Sequence, residues 1–176
     1  MKYFNVALVG LCVLGGSARA ELFSSIDYGV ETVTPDGLKV CTDDPPAPNH
    51  GFVLLLDTTN CEEIHRPPRI YFNFNYNAAG EAKTTRELAR ARCEGAMARH
   101  TSVKVSGLRL YRCNPPKDEA GLSRIRYVVL RPTNGDFVGS WIEYRITLHC
   151  PAAGLAKCSK TLDGLLARTR FFKIVP

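Results

Sequence analysis

Apolar and polar residues alternate along several segments of the chain, and this alternation predicts an antiparallel β-sheet. The clearest segment runs from Ile70 to Asn77, where Ile, Phe and Tyr occupy one side and Asn the other, as in a strand with one buried face. The same reasoning predicts strands over 26–33, 38–41, 52–57, 103–110, 124–131, 137–150 and 166–175. Within 103–110 the alternation shifts by one residue at Ser106-Gly107, which predicts a β-bulge.

One helix is predicted among these strands. Thr84 and Glu87 have the spacing of a capping box, and the small and apolar residues that follow favour a helix from Thr85 to about His100. The segment between Cys150 and Cys158 is expected to be a loop. The predicted fold class is therefore α+β, with an antiparallel sheet packed against one main helix and stabilised by disulfides.

The last two long strands are predicted to form a hairpin. Asn134-Gly135 is the preferred centre of a two-residue type I′ turn. This turn sets a register in which the residue numbers of any two paired residues add up to 269. Arg126 then lies opposite Glu143, and Trp141 lies opposite Val128. One side of the hairpin collects polar and aromatic side chains, namely Arg124, Arg126, Trp141, Glu143, Arg145, Thr147 and His149.

The first twenty residues have the features of a secretory signal peptide. A positive start at Lys2 precedes an apolar run, and small residues at 18 and 20 indicate cleavage before Glu21. The apolar run is about 11 residues long, whereas a membrane-spanning helix needs roughly 20, so no membrane span is expected. The predicted organisation is a signal peptide over 1–20 and a single secreted α+β domain over 21–176.

The cysteines beyond the signal peptide are expected to form disulfides, because an exported chain matures in an oxidising compartment. Fifteen pairings of six cysteines are possible. The simplest joins sequence neighbours: Cys41 with Cys61, Cys93 with Cys113, and Cys150 with Cys158. Each of the first two bridges would then stabilise the fold by about 3 kcal/mol in the loop-entropy model.

Charge is unevenly distributed along the chain. Residues 21–63 contain nine acidic residues and one basic residue, whereas residues 64–176 contain 20 basic and eight acidic residues. Two interpretations stay open. The two parts attract each other within one domain, or the basic part presents a face to an anionic partner such as nucleic acid, a wall polymer or an acidic protein.

Motifs for catalysis and for metal binding are absent from the sequence. It contains neither the Gly-x-Ser-x-Gly of serine hydrolases nor a phosphate-binding Gly-rich loop. Glu62 and His65 stand three residues apart, but Pro67-Pro68 prevents a continuing helix and no second pair matches them. No metal site and no cofactor are expected.

A segment over residues 84–150 resembles the small secreted fungal guanyl-type ribonucleases and the ribonuclease-like effectors of fungal pathogens. The resemblance rests on a helix carrying Cys93, followed by the strand segments that begin at Arg126 (RYVVL) and at Gly135 (GDFVGSWI). It implies that Arg126 occupies the position of a family arginine. Glu143 stands where the family has its catalytic histidine, which implies a ribonuclease-like scaffold used for binding.

The favoured interpretation is a secreted, disulfide-stabilised, non-catalytic binding protein that acts as an effector or inhibitor on a host or competitor molecule. Its partner is expected to be a protein, with an anionic polymer or RNA as the alternative. The candidate binding residues are Trp141, Arg124, Arg126 and Arg145, since Trp and Arg are favoured at binding hot spots.

Two alternatives remain open at this stage. The first is a basic secreted ribonuclease-like enzyme, with Arg126, Glu143, Arg145 and His149 as its candidate catalytic residues. The second is a periplasmic immunity or inhibitor protein of a bacterium. In each interpretation the protein is exported, to the extracellular space or to the periplasm.

Overall fold

The computed structural model of the chain describes residues 20–42, 50–77, 82–93, 101–133 and 141–173. Nearly all of the predicted signal peptide lies outside these ranges, as do Asn134-Gly135 and the second half of the predicted helix.

The described residues form ten strands and two α-helices, connected by loops and two short 3₁₀ turns. The strands are β1 Leu22–Ser25, β2 Val30–Val33, β3 Lys39–Cys41, β4 Gly51–Leu55, β5 Arg69–Asn77, β6 Thr101–Val105, β7 Leu108–Cys113, β8 Ser123–Pro132, β9 Trp141–Cys150 and β10 Thr169–Phe171. The helices are α1 Thr85–Arg92 and α2 Leu155–Ala167.

Two antiparallel sheets build the molecule. The large sheet has seven strands in the order β3-β4-β5-β9-β8-β7-β6, and the small sheet has three in the order β1-β2-β10. The inner face of the large sheet packs against α2 and the small sheet, around a core of aromatic and aliphatic side chains. The largest fully buried members of this core are Tyr144, Phe52, Phe72 and Phe74. The opposite surface of the large sheet is called the outer face below.

Helix α2 was not predicted. The expected loop between Cys150 and Cys158 is wrong from Leu155 onward, where the helix begins. The expected strand over 166–175 is correct in part, because Leu166 and Ala167 are helical but β10 lies at Thr169–Phe171. The buried residues of α2 are Cys158, Leu162, Leu165 and Leu166, a spacing that places them on one side of a helix. That side covers the inner core.

Helix α1 packs on the outer face, opposite α2. The Thr84 hydroxyl accepts a hydrogen bond from the Glu87 N–H at 3.2 Å, which is the predicted N-cap. Leu88 and Ala89 are buried against β8, and the Thr85 hydroxyl exchanges hydrogen bonds with the backbone of Leu130. The prediction of one main helix is therefore correct only in part, since two helices cover opposite faces of the sheet.

Strands β8 and β9 pair in a different register from the predicted one. Ile125 lies opposite Leu148 and Pro132 lies opposite Trp141, so paired positions sum to 273 instead of 269. The predicted register is therefore wrong, and the predicted turn at Asn134-Gly135 lies outside the described residues. The shift of four positions is even, so every side chain stays on its predicted face of the sheet.

Two other local predictions are corrected. Ser106 and Gly107 form a tight hairpin turn between β6 and β7, with φ values of 48° and 84°, and not a bulge. Positive φ at both central residues is the requirement of a type I′ turn. The predicted strand 26–33 is also shorter than expected, because residues 26–29 form a turn and β2 begins at Val30.

Three disulfides connect the six cysteines as the nearest-neighbour pairing predicts: Cys41–Cys61, Cys93–Cys113 and Cys150–Cys158. The first holds the 3₁₀ turn at Cys61–Glu63 against β3. The second joins the end of α1 to β7, and the third joins β9 to α2. Among the described residues, no helix combines the length and the apolar character that a membrane span requires.

Candidate binding face on the outer side of the sheet

The centre of the outer face is formed by side chains of β5, β9 and β8, which lie side by side. Strand pairing places them in rows across the three strands. The rows are Arg69–His149–Arg124, Tyr71–Thr147–Arg126, Asn73–Arg145–Val128 and Asn75–Glu143–Leu130. Neighbouring strands are about 4.8 Å apart, so within each row the side chain on β9 lies beside those on β5 and β8.

Two raised elements border these rows. On the β8 side, α1 covers Val128 and Leu130. On the β4 side, Cys61 and Ile64 pack with Tyr71 over the small apolar cluster of β3 and β4. The part of the rows between these two borders is called the trough below, whereas Val128 and Leu130 lie beneath α1. We call the five arginines in and beside it, Arg69, Arg92, Arg124, Arg126 and Arg145, the arginine face.

Glu143 is the buried carboxylate of this surface. Its side chain is 2% exposed, and it accepts from Arg92 Nε at 3.0 and 3.3 Å and from Arg92 Nη2 at 3.0 Å. Both of its oxygens therefore bind the end of α1. The nearest other cation is Arg145, with Nη1 3.9 Å from Oε1.

The predicted partner of Glu143, Arg126, is bound elsewhere. Arg126 Nε donates to the Thr147 hydroxyl at 3.2 Å, and Nη1 donates to the carbonyl oxygen of Arg92. The predicted Arg126–Glu143 pair is therefore wrong, because the register shift moves Thr147 opposite Arg126. Arg124, in the next row, donates from Nε to the Pro116 carbonyl at 2.7 Å.

His149 lies at one end of the trough and contacts the loop that precedes β8. Its Nδ1 lies 3.1 Å from Asp118 Oδ2. Burial is the main cause that lowers the pKa of His149 below its ordinary value, and the positive charges of Arg69 and Arg124 lower it further against the opposing effect of Asp118. Burial acts to raise the pKa of Asp118, but the Leu122 N–H and His149 outweigh it, so that pKa lies below its ordinary value. His149 is therefore held mainly neutral beside two arginines.

The residues proposed from the sequence all lie on the outer face, but in different environments. Arg145 is about one-third exposed. Trp141 is half-buried, packs against the cluster beneath α1 and lies opposite Pro132 instead of Val128. Trp141 is therefore partly a packing residue of the α1 side.

Sequence reasoning missed several residues of this face. The separation between β5 and β9 in sequence concealed their pairing, so Arg69 and Tyr71 could not be placed beside His149. Arg92 lay within the predicted helix but was not assigned to Glu143, and Asp118 was not assigned to this face. The alternation in β5, which predicts one polar side, was the available signal for Asn73.

The part of the chain that the structure describes contains no group of three or more His, Cys, Asp or Glu side chains arranged to hold a metal ion. The chemical character of the face is instead set by guanidinium groups, whose N–H donors match carboxylates and phosphates.

Comparison with known proteins shows similarity at the level of the fold. No family model matches the chain, and no curated protein matches it in sequence. The cyanobacterial PsbP (CyanoP) of Synechocystis sp. PCC 6803 superposes with a TM-score of 0.55 and 10% identity over 93% of this chain and 99% of that chain. LpqN, described as involved in cell envelope biogenesis of Mycobacterium tuberculosis, superposes with a TM-score of 0.62 and 13% identity over 88% and 91%.

These neighbours correct the expected ribonuclease resemblance. The structure is similar to PsbP-like folds, and the resemblance to guanyl-type ribonucleases and their effector relatives is wrong. The resemblance rested on one helix and two strand segments over 84–150. The structure adds β1 to β5 and α2 to the same core, which those local motifs did not represent. At these identities the likeness shows the fold alone.

Proposed function

We propose that this chain is an exported, disulfide-stabilised binding protein of effector or inhibitor type, and that its arginine face binds an acidic segment of a protein partner. The observation that carries the proposal is the charge of this face. Five arginines line it, and the two carboxylates that contact it among the described residues, Glu143 and Asp118, are bound to Arg92 and His149.

Binding is favoured over catalysis because the candidate catalytic groups are held in structural contacts. Both oxygens of Glu143 accept from Arg92, so this carboxylate is not a free proton acceptor. Arg126 is fixed between β9 and the end of α1. A general acid or base must reach its substrate, and the Glu143 carboxylate is 2% exposed with both oxygens hydrogen-bonded to Arg92.

An acidic protein segment fits the shape of the surface. The trough is open and bordered on two sides, and its floor adds amide donors and acceptors from Asn73 and Asn75 to the arginines. Arginine forks bind carboxylates bidentately. The tyrosine and tryptophan at its margins, Tyr71 and Trp141, are residue types enriched at protein interfaces.

An exported location is part of the proposal. It is supported by the signal-peptide features of residues 1–20 and by the three disulfides, which persist in oxidising compartments. The description of LpqN as involved in cell envelope biogenesis is consistent with a periplasmic or envelope location for this chain as well.

A hexaglutamate peptide is a defined probe for this proposal. We expect it to bind in calorimetry at low salt and more weakly as the salt concentration rises. Arg145→Gln should weaken binding about tenfold, because a hydrogen bond to a charged group contributes about 1.5 kcal/mol. Arg170→Gln is the matched control, since this arginine is 77% exposed on the small sheet and carries the same charge.

The control variant distinguishes binding at the arginine face from a general response to the net charge of the protein. If both variants lose affinity equally, the peptide senses overall charge and the proposal is wrong. Absence of binding at low salt also contradicts it.

A further inference from the structure

One arginine, Arg112 of β7, lies on the inner face of the large sheet. It pairs with Thr101 of β6 on one side and with Tyr127 of β8 on the other, and Tyr127 belongs to the inner core. Directly paired residues of neighbouring strands share a face of the sheet, so these three residues form one row on the inner face. A charged group that faces a core is normally paired with a counter-charge or a hydrogen-bond acceptor.

Arg112 lacks such a partner among the described residues, where it makes no hydrogen bond and no ion pair. Its Nε atom is shielded from solvent, but the residue as a whole is half-buried. The donors open to a ligand are therefore those at the end of the side chain, Nη1 and Nη2. These two N–H groups have the spacing that binds both oxygens of a carboxylate.

A cavity lies over the row Thr101–Arg112–Tyr127. It has a volume of about 510 Å³ and is open to solvent, and small-molecule sites typically enclose about 300–1,000 Å³. The sheet contributes the row itself, and the end of α2 and the start of β10 contribute further lining residues. The apolar part of the wall consists of Val103, Val105, Leu166 and Ala167. The cavity therefore combines a cationic donor with an apolar wall.

Tyr127 adds a second polar group to the lining. Burial is the main cause that raises the pKa of Tyr127 above its ordinary value, against the opposing charge of Arg112 and with a smaller contribution from Asp163. The hydroxyl therefore stays protonated at neutral pH. The charged residues of the lining are Lys104, Arg112 and Asp163, two cations and one carboxylate, so the cavity carries a formal charge of +1.

We propose that this cavity is a second binding site, which takes a small organic carboxylate with an apolar body. Arg112 binds the carboxylate, and the apolar wall contacts the body of the ligand. A carboxylate alone leaves this wall uncovered, whereas an uncharged ring leaves the guanidinium group without an acceptor. The site lies on the opposite side of the sheet from the arginine face, so the inference goes beyond the proposed function and does not depend on it.

Phenylacetate is the probe, and the backbone amide chemical shifts of the protein in NMR titrations are the measurement. We expect binding in the millimolar range, with the largest shifts in β6 and at the end of α2. Phenethyl alcohol has the same ring without a charge, and phenethylamine carries the opposite charge. Both should bind about tenfold more weakly, because each lacks the hydrogen bonds between a carboxylate and Arg112.

Arg112→Gln should weaken phenylacetate binding about tenfold, to the level of phenethyl alcohol. Arg109→Gln is the matched control, because it removes the same charge from the same strand. Arg109 is exposed and lies between two inner-face leucines in sequence, so its side chain is on the outer face. This control should bind phenylacetate as wild type does.

Ala167→Phe tests the cavity independently if Arg112→Gln does not fold. Ala167 is exposed at the end of α2 and lines the cavity, so a larger side chain there is compatible with folding. It should fill part of the cavity and abolish phenylacetate binding.

Four results would overturn the inference. Unchanged amide shifts at the cavity residues in millimolar phenylacetate would show that the cavity takes no such ligand. Tighter binding of phenethylamine would mean that Asp163 and not Arg112 selects the ligand. Equal losses in Arg112→Gln and Arg109→Gln would mean that the probe senses net charge, and unchanged binding in Ala167→Phe would place the probe elsewhere. None of these results bears on the arginine face, which the hexaglutamate peptide tests.

Discussion

Replacing Arg92 by methionine tests how α1 is held on the sheet. The substitution removes all three close contacts to Glu143 and leaves that 2% exposed carboxylate with Arg145 at 3.9 Å. Removing one partner of a buried ion pair costs about 3–5 kcal/mol. Since Arg92 itself is one-third exposed, water can partly replace it, and we expect the lower end, about 3 kcal/mol.

Thermal and urea unfolding measure this loss. For a domain of this size 1 kcal/mol shifts the midpoint by about 2–4 °C, so Arg92→Met should lower it by about 6–12 °C. The double variant Arg92→Met/Glu143→Met should be more stable than Arg92→Met alone, because it removes the stranded charge as well. Arg170→Met, on an exposed arginine, should stay within about 0.5 kcal/mol of wild type.

Two results would refute this reasoning. A loss below about 1 kcal/mol for Arg92→Met would mean that the pair contributes no more than an exposed one. A double variant as unstable as the sum of its single variants would mean that Arg92 and Glu143 act independently.

Two further predictions concern packing and covalent structure. Trp141→Ala should lower the free energy of unfolding, measured by urea titration, by about 2 kcal/mol. This is roughly half the 3–5 kcal/mol of a fully buried ring, because Trp141 is half-buried against the α1 cluster. An unchanged free energy of unfolding would show that the ring does not pack there. Replacing both cysteines of the Cys93–Cys113 bridge by alanine should lower the free energy of unfolding by about 3.3 kcal/mol, and replacing those of Cys150–Cys158 by about 2.5 kcal/mol. The difference arises because the two bridges close loops of 20 and 8 residues. If unfolding curves show the larger loss for Cys150–Cys158, the loop-entropy explanation is wrong.

The residues of the outer face could be predicted from the sequence, because successive residues of a strand point to alternate faces of the sheet. Alternation assigns each residue of β8 and β9 to a face, and a register shift of four positions leaves that assignment intact. The pairs themselves depend on the connection between the strands. The register derived from Asn134-Gly135 paired Arg126 with Glu143, whereas Thr147 lies opposite Arg126 in the structure.

Features that depend on distant parts of the chain could not be predicted. Nothing local indicates that β5 lies beside β9, and Arg69 therefore had no visible neighbour. Helix α2 is a different case, since the spacing of Leu162, Leu165 and Leu166 was readable as helical. The segment was interpreted as a loop instead, because Cys150 and Cys158 are only eight residues apart.

The small sheet has a consequence for the order in which the fold can be completed. β2 lies between β1 and β10, and the hydroxyls of Thr32 and Thr169, 137 residues apart, meet at 3.0 Å. Contacts over such separations form slowly, because closing a long loop costs entropy before the contact stabilises anything. We therefore expect β10 to dock late, and until it does the ring of Tyr144 lacks the cover of Phe171, whose ring centroid lies 4.9 Å away in the folded chain.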